Sequence, residues 1–117
     1  MPMADELNLG GLIDPTSDRD AIAFIDLAGS QAGGDARAYS RGEISDLANA
    51  VARGLRVRDL GRGVSVAILA ENSVSYLTAY MGIMRAGMVA VPINYRQPTR
   101  TIAHIAADSD TRLIFAD

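Results

Sequence analysis

Residues 64–117 have the sequence VSVAILAENSVSYLTAYMGIMRAGMVAVPINYRQPTRTIAHIAADSDTRLIFAD, in which the spacing of apolar residues changes in a fixed order. A dense apolar run up to Leu69 is typical of a parallel strand that is covered on both faces. Apolar side chains three and four residues apart then predict a helix. A short apolar run ended by Pro92, a helical pattern over residues 99–108 and an apolar run at residues 113–115 complete the series. The alternation predicts an α/β fold with an open, largely parallel sheet, flanking helices and right-handed crossovers.

The first helix of this stretch has suitable residues at both of its ends. Asn72 and Ser73 precede it and can accept hydrogen bonds from its first amides. Arg85 lies in the last turn, where a cation suits the helix dipole, and Gly87 can adopt the left-handed conformation that ends a helix. These signals place the helix between Ser73 and Gly87.

An N-terminal hairpin is predicted before this unit. Residues 21–26 and a shorter run that ends at Tyr39 have the composition of two strands, and the glycine-rich residues 29–35 between them predict a turn. The pair Gly33-Gly34 joins strand to strand and does not open a helix, so it does not indicate a phosphate-binding loop.

The helix that follows the hairpin has the most complete start signal in the chain. Ser40 and Glu43 form the capping-box pattern Ser-x-x-Glu, in which each side chain binds a backbone amide of the other residue. An apolar series at helical spacing predicts a helix from about Arg41 to Val57. Gly54 interrupts this series at a cost of about 1 kcal/mol relative to alanine.

Composition excludes several classes of function. The 117 residues suit one small domain, and all eleven basic residues are arginine, so the chain contains neither a Walker lysine nor a Schiff-base site. The lack of cysteine excludes disulfides and thiolate chemistry and fits a reducing cytoplasm. Although four arginines lie within residues 53–62, the net charge of -3 argues against a nucleic-acid partner.

No membrane segment or signal peptide is expected. The longest apolar runs fall far short of the roughly 20 residues that a membrane span needs, and the first residues lack the basic start of a signal peptide. We therefore expect a soluble cytoplasmic protein with a single incomplete domain over residues 1–117. Its parts are a loosely ordered lead-in with room for a short docking helix (1–17), the hairpin with its capped helix (18–63) and the alternating unit (64–117).

Three segments together carry a family pattern. They are YSRGEISDLANAVARGL at residues 39–55, VSVAILAENS at residues 64–73 and YMGIMRAGMVAVPINYR at residues 80–96. Their order and spacing resemble the N-terminal region of adenylate-forming acyl-CoA synthetases, in the AMP-dependent synthetase and ligase superfamily, over roughly residues 20–117. The resemblance implies the N-terminal part of that fold. It also implies that the complete enzyme uses ATP and Mg²⁺ to convert a carboxylic acid into an acyl-adenylate, and then transfers the acyl group to coenzyme A.

The chain also departs from the family pattern. Family members carry a Ser/Thr/Gly-rich phosphate loop that ends in lysine, a Tyr-Gly-x-Thr-Glu segment and a lysine on a mobile C-terminal domain, and none of these is in the sequence. Family members usually open the helix after Arg96 with Thr-Pro-acid-acid, where this chain has Pro-Thr-Arg-Thr at residues 98–101. We therefore expect the first part of a several-fold longer enzyme, which is inert alone and self-associates because the later part would cover its sheet.

Arg96 and Arg100 are the candidate ligand-binding residues. Arg96 follows the strand that ends at Pro92, and open α/β folds bind ligands outside the carboxyl ends of their strands. Arg100 lies in the first turn of the next helix, where a cation is disfavoured unless an anion lies between it and the helix. Two guanidinium groups beside free amides suit a phosphate. The resemblance implies that this phosphate belongs to coenzyme A, because the arginine of the Asn-x-Arg segment approaches its nucleotide phosphate in some ligases; the alternative is a surface arginine paired with an acid.

Other polar residues favour structural roles. His104 shares a helix face with Arg100 and Asp108, which indicates a solvated charged stripe and not a general base. Tyr76 and Tyr80 lie at core spacing, and Asn72 is interpreted as a cap. No carboxylate pair, serine-histidine-acid set or metal-ligand spacing is present.

Three alternatives to the acyl-CoA synthetase hypothesis stay open. Adenylation domains of peptide synthetases and luciferases share the same N-terminal order. A stand-alone Rossmann-like or flavodoxin-like nucleotide-binding module would need a glycine-rich turn between strand and helix, whereas residues 70–73 contain no glycine. An interaction module would use the last strand as an unpaired edge.

Overall fold

A computed structural model describes residues 8–12, 18–27 and 34–117. Its elements in chain order are a short 3₁₀ helix (Leu9–Gly11), β1 (Ile22–Asp26), β2 (Arg37–Ser40), α1 (Arg41–Arg56), β3 (Ser65–Leu69), α2 (Val74–Arg85), β4 (Val89–Pro92), α3 (Thr99–Asp108) and β5 (Thr111–Ala116). This order is the predicted one, with small differences at the boundaries. Gly33 and most of the turn predicted at 29–35 lie outside the described residues, as do 1–7 and 13–17 of the lead-in.

The parallel sheet has three strands in the order β4-β3-β5. The central strand β3 pairs in parallel with both neighbours, so that Val66 lies between Ala90 and Leu113. Val66, Ala67 and Ile68 are each 0% exposed, which confirms the prediction of a strand covered on both faces. Since β4 and β5 flank β3, two right-handed crossovers in this order place α2 on one face of the sheet and α3 on the other.

Helices α1 and α2 pack against each other between the sheet and the hairpin. The larger core cluster joins these two helices to the sheet and contains Leu55, Val66, Ile68, Ala79, Ile83 and Met88. A smaller cluster consists of Ile44, Ala48 and Met81, with Phe24 and Tyr39 of the antiparallel pair β1-β2 packed against it. The hairpin therefore covers the side of α1 and α2 that faces away from the sheet.

The start of α1 confirms the predicted capping box. The backbone amide of Glu43 donates to Ser40 Oγ over 3.1 Å, and the amide of Ser40 donates to Glu43 Oε2 over 2.8 Å. Both orphan amides are thus satisfied by side chains, which fixes the first turn of the helix.

The start of α2 is capped by Ser73, which accepts a hydrogen bond from the amide of Tyr76 over 3.2 Å. A second cap comes from the hairpin, because Asp26 Oδ2 accepts from the amide of Val74 over 2.9 Å. The interpretation of Asn72 as a cap was wrong, since Ser73 occupies the cap position. At the other end Gly87 has a φ of +78°, which confirms the predicted left-handed stop.

None of the helices in the three described ranges has the length and apolar character needed to span a bilayer.

Candidate functional site

A cleft of about 620 Å³ opens at the carboxyl ends of β3 and β4. It is lined by Ala70, Glu71, Asn72, Tyr76, Pro92, Ile93, Asn94, Tyr95 and Arg96. The loops that follow the two strands meet here because Ile68 pairs with Pro92 in parallel register. The chain then leaves β3 toward α2 and leaves β4 toward α3 on the opposite face, and open α/β sheets bind ligands where neighbouring connections diverge in this way.

A tight turn after β4 holds Arg96 at the cleft. Asn94 closes this turn twice: its Oδ1 accepts from the amide of Arg96 over 3.0 Å, and its carbonyl accepts from the amide of Gln97 over 3.1 Å. Side-chain bonding of this kind is the reason why asparagine is favoured in turns. The backbone direction at Arg96 is therefore set by Asn94.

The Arg96 side chain contacts the neighbouring Tyr95. Its Nε donates to Tyr95 Oη over 3.2 Å, and its guanidinium carbon lies 5.6 Å from the centre of the tyrosine ring. The hydrogen bond to Tyr95 and the charge interaction with the same side chain raise the pKa of Arg96, and Glu71 adds a smaller contribution. The guanidinium is cationic, as arginine is throughout the physiological pH range.

Arg96 has no carboxylate partner within the described ranges. The ion pairs there join Arg19 to Asp46 over 2.8 Å and Arg112 to Asp110 over 3.5 Å. The hydrogen-bond partner of Arg96 in the described ranges is a phenol, and the Glu71 carboxylate that contributes to its pKa forms no ion pair with it, so the guanidinium can still bind an anion in the cleft.

Arg100 does not line the cleft. It lies in the first turn of α3 and is exposed. The helix begins after Pro98, which makes no side-chain hydrogen bond to it, and its first turn carries no acid. The structure thus places Arg96 at the cleft. Arg100 lies four residues later, in the first turn of a helix whose start has no side-chain cap.

Several residues that line the cleft were missed or given other roles by the sequence analysis. Tyr76 packs against the core as predicted, but it also lines the cleft. Its pKa is raised, mainly by burial and to a smaller extent by the charge interaction with Tyr80, so the phenol is neutral. Tyr95 and Glu71 had no assigned role. Their positions just after the carboxyl ends of two parallel strands are the signal that could have identified them.

Other candidate chemistry is not assembled in the described part of the chain. His104 is exposed on α3 and does not line the cleft, in agreement with a solvated helix face. No group of three or more histidine, cysteine, aspartate or glutamate side chains there is arranged to hold a metal ion.

The family model described as AMP-binding enzyme matches residues 14–117. The chain belongs to the AMP-binding enzyme family. This result confirms the resemblance that the three sequence segments indicated.

Curated relatives from the AMP-binding enzyme family include two kinds of ligase. The chain is 32% identical over 117 residues to 3-hydroxybenzoate–CoA ligase of Aromatoleum sp. (strain CIB). This match covers 100% of this chain and 20% of the relative. It is 32% identical over 103 residues to bacitracin synthase 1 of Bacillus licheniformis, which covers 88% of this chain and 2% of the synthase. The relationship therefore establishes an adenylate-forming ligase family, within which both CoA ligases and peptide synthetases occur.

Solved AMP-binding enzyme structures share the fold. The N-terminal subdomain of Klebsiella oxytoca NpsA, in complex with anthranilyl-AMSN, is 27% identical with a TM-score of 0.78, over 94% of this chain and 27% of that chain. The Mycobacterium tuberculosis fatty acyl CoA synthetase is 30% identical with a TM-score of 0.65, over 68% of this chain and 16% of that chain. The predicted fold class, the N-terminal part of the adenylate-forming enzyme fold, is confirmed.

Proposed function

We propose that this chain supplies the N-terminal part of an ATP-dependent acyl-CoA synthetase. Such an enzyme joins a carboxylic acid to ATP, with Mg²⁺, to give an acyl-adenylate, and then transfers the acyl group to the thiol of coenzyme A. The proposal is supported by the match of the whole chain to a CoA ligase, of which it spans 20%. The machinery that handles the phosphates of ATP would lie elsewhere in the synthetase, since this chain has no lysine.

The observation that carries the proposal is the placement of Arg96. A cationic fork at a cleft between two parallel strands, without a carboxylate partner in the described ranges, is suited to a phosphate. We assign to it the nucleotide phosphate of coenzyme A. Arg100, at the uncapped start of α3, is the second proposed contact, because exposed first-turn amides also favour an anion.

The test uses the synthetase that contains this chain and assays its two half-reactions separately. Arg96→Ala should raise the KM for coenzyme A by roughly ten-fold or more, because a charged hydrogen bond to the phosphate is lost. Adenylate formation should be nearly unchanged, since coenzyme A takes no part in it. Hydroxybenzoates are the first acids to test, because the relative is a 3-hydroxybenzoate–CoA ligase and NpsA was solved with 3-hydroxybenzoyl-AMSN.

Two controls sharpen this experiment. Arg96→Lys should recover only part of the loss, because lysine keeps the charge without the planar fork. If the contact is to the ribose phosphate, the wild-type enzyme should discriminate against dephospho-coenzyme A and the alanine variant should not. Equal discrimination by the two proteins would contradict the assignment.

A second candidate function is that of a peptide-synthetase adenylation domain. It is favoured by 38% identity over 79 residues to pyochelin synthetase PchF of Pseudomonas aeruginosa, beside the match to bacitracin synthase 1. The two candidates differ in the acyl acceptor. An enzyme that forms the adenylate but passes the acyl group to a carrier-protein thiol and not to free coenzyme A would support the second one.

A further inference from the structure

Tyr95 and Arg96 form a local pair in the turn after β4. The phenol oxygen accepts from Arg96 Nε over 3.2 Å, and the guanidinium carbon lies 5.6 Å from the ring centre, within the range of a cation–π contact. Tyr95 is 39% exposed, so the pair stands at the rim of the cleft and not in the core. The role of Tyr95 therefore depends on its contact with the Arg96 guanidinium.

The contact with Tyr95 determines which hydrogen-bond donors of the guanidinium are already used. Arginine has five N–H donors in a rigid plane, one on Nε and two on each terminal nitrogen. Nε is occupied by Tyr95, whereas Nη1 and Nη2 of Arg96 make no hydrogen bond in the described part of the chain. A bidentate anion can then be received end-on by the two terminal nitrogens, but not side-on by Nε and one terminal nitrogen.

The pair also limits the motion of the side chain. A long exposed arginine samples many rotamers, and ordering such a side chain on binding reduces affinity. Here Asn94 fixes the backbone of Arg96, and the Tyr95 hydroxyl fixes the far end of the side chain. The two contacts thus favour one orientation of the guanidinium before a ligand binds.

We propose that Tyr95 is a positioning residue, which holds Arg96 so that its two terminal nitrogens receive the phosphate end-on. This inference rests on the proposed phosphate contact of Arg96 and adds to it a second residue and a geometry. Tyr95 itself does not touch the phosphate.

The experiment compares Tyr95→Phe and Tyr95→Leu in the synthetase that contains this chain. Phenylalanine keeps the ring face and removes only the hydrogen bond, so the KM for coenzyme A should rise by about two- to ten-fold with kcat unchanged. Leucine also removes the ring face, so the rise should be larger, though below that of Arg96→Ala. Adenylate formation and the thermal midpoint should stay at wild-type values in both variants, which separates positioning from a loss of folding.

A double-mutant comparison decides the mechanism. In an Arg96→Ala background, Tyr95→Phe should cause no additional rise in the KM for coenzyme A, because the residue that it positions is gone. An equal rise in both backgrounds would show that Tyr95 acts independently of Arg96 and would overturn the inference.

The two proposals fail in different ways. If Arg96→Ala raises the KM for coenzyme A and Tyr95→Phe does not, the phosphate contact stands and the positioning role is refuted. If Arg96→Ala itself has no effect on this KM, both the phosphate contact and the positioning role are refuted.

Discussion

Arg85 Nε donates a 2.6 Å hydrogen bond to the carbonyl oxygen of Gly10, which lies 75 positions earlier in the chain. The same guanidinium donates through Nη1 to the carbonyl and Oγ of Ser45 and to Oδ1 of Asn49, at 2.9 to 3.0 Å. Burial lowers the pKa of Arg85, as expected for a cation that is withdrawn from water. One side chain of α2 thus ties together α1 and the short N-terminal 3₁₀ helix.

We predict that Arg85→Met lowers the free energy of unfolding by about 1–3 kcal/mol, because it leaves the fully buried Ser45 without its described donor. Arg53→Met is the matched control. The Arg53 side chain is exposed on α1 and makes no hydrogen bond or ion pair in the described ranges, so its loss should cost less than about 0.5 kcal/mol. Urea unfolding followed by circular dichroism measures both. Equal losses for the two variants would show that Arg85 contributes only a general surface charge.

The role of Arg85 shows which features a local sequence pattern can predict and which it cannot. Its position in the last turn of α2 correctly indicated a helix end, and the capping box of Ser40 and Glu43 correctly gave the start of α1, because both signals are local. The bond to Gly10 depends on how distant segments pack, and no local pattern contains it. In the cleft, likewise, Arg96 was identified from its place after one strand. Tyr76 was assigned to packing alone, because its contribution appears only when β3 pairs with β4.

Gly82 allows the close approach of α1 and α2. A Cβ added to it would lie 2.5 Å from Val51 Cβ and 2.8 Å from the carbonyl oxygen of Ala48. We predict that Gly82→Ala destabilises the fold by about 1–3 kcal/mol, because the helices must move apart. Gly54→Ala is the opposite case, since nothing lies within 4 Å of its added Cβ in the interior of α1, and it should stabilise the fold by about 0.5–1 kcal/mol.

A double variant tests the cause assigned to Gly82. Val51→Gly removes both Val51 atoms that lie 2.5 Å from the new methyl group, Cβ and Cγ1, so Val51→Gly/Gly82→Ala should be more stable than the sum of the two single losses implies. Strict additivity, measured by thermal unfolding, would mean that the backbone of Ala48 or a change within α2 sets the cost.

The 117-residue chain alone should not adenylate carboxylic acids. The sequence contains no lysine and no lysine-ended phosphate loop, so the groups that would stabilise charge on the transferring phosphates are missing. Pyrophosphate release from ATP, measured with a panel of hydroxybenzoates and aliphatic acids, should stay at background. Acid-dependent release that persists in a second, independently purified preparation would contradict this prediction and the proposed division of labour.

The last prediction concerns the outer edge of the sheet. No strand in the described part of the chain pairs with the free side of β5, where Ile114 is 44% exposed. Beside it lies an apolar groove of about 290 Å³, lined by Val51, Gly54, Leu55, Arg58, Leu113, Ile114 and Phe115. An exposed edge with apolar side chains favours pairing between chains, so we expect the purified chain to self-associate.

A lysine at the centre of this edge should weaken that association, because a charge there cannot be buried against a second strand. We therefore expect Ile114→Lys to lower the weight-average mass in sedimentation equilibrium while leaving the thermal midpoint nearly unchanged. Val57→Lys is the control, since Val57 is 80% exposed just beyond α1 and does not line the groove. It carries the same charge change and should leave the mass as in the wild type. A wild-type chain that is monomeric at high concentration would contradict the predicted self-association, and β5 would then need no cover from a further strand. Equal effects of the two lysines would mean that the association uses a surface other than the edge of β5.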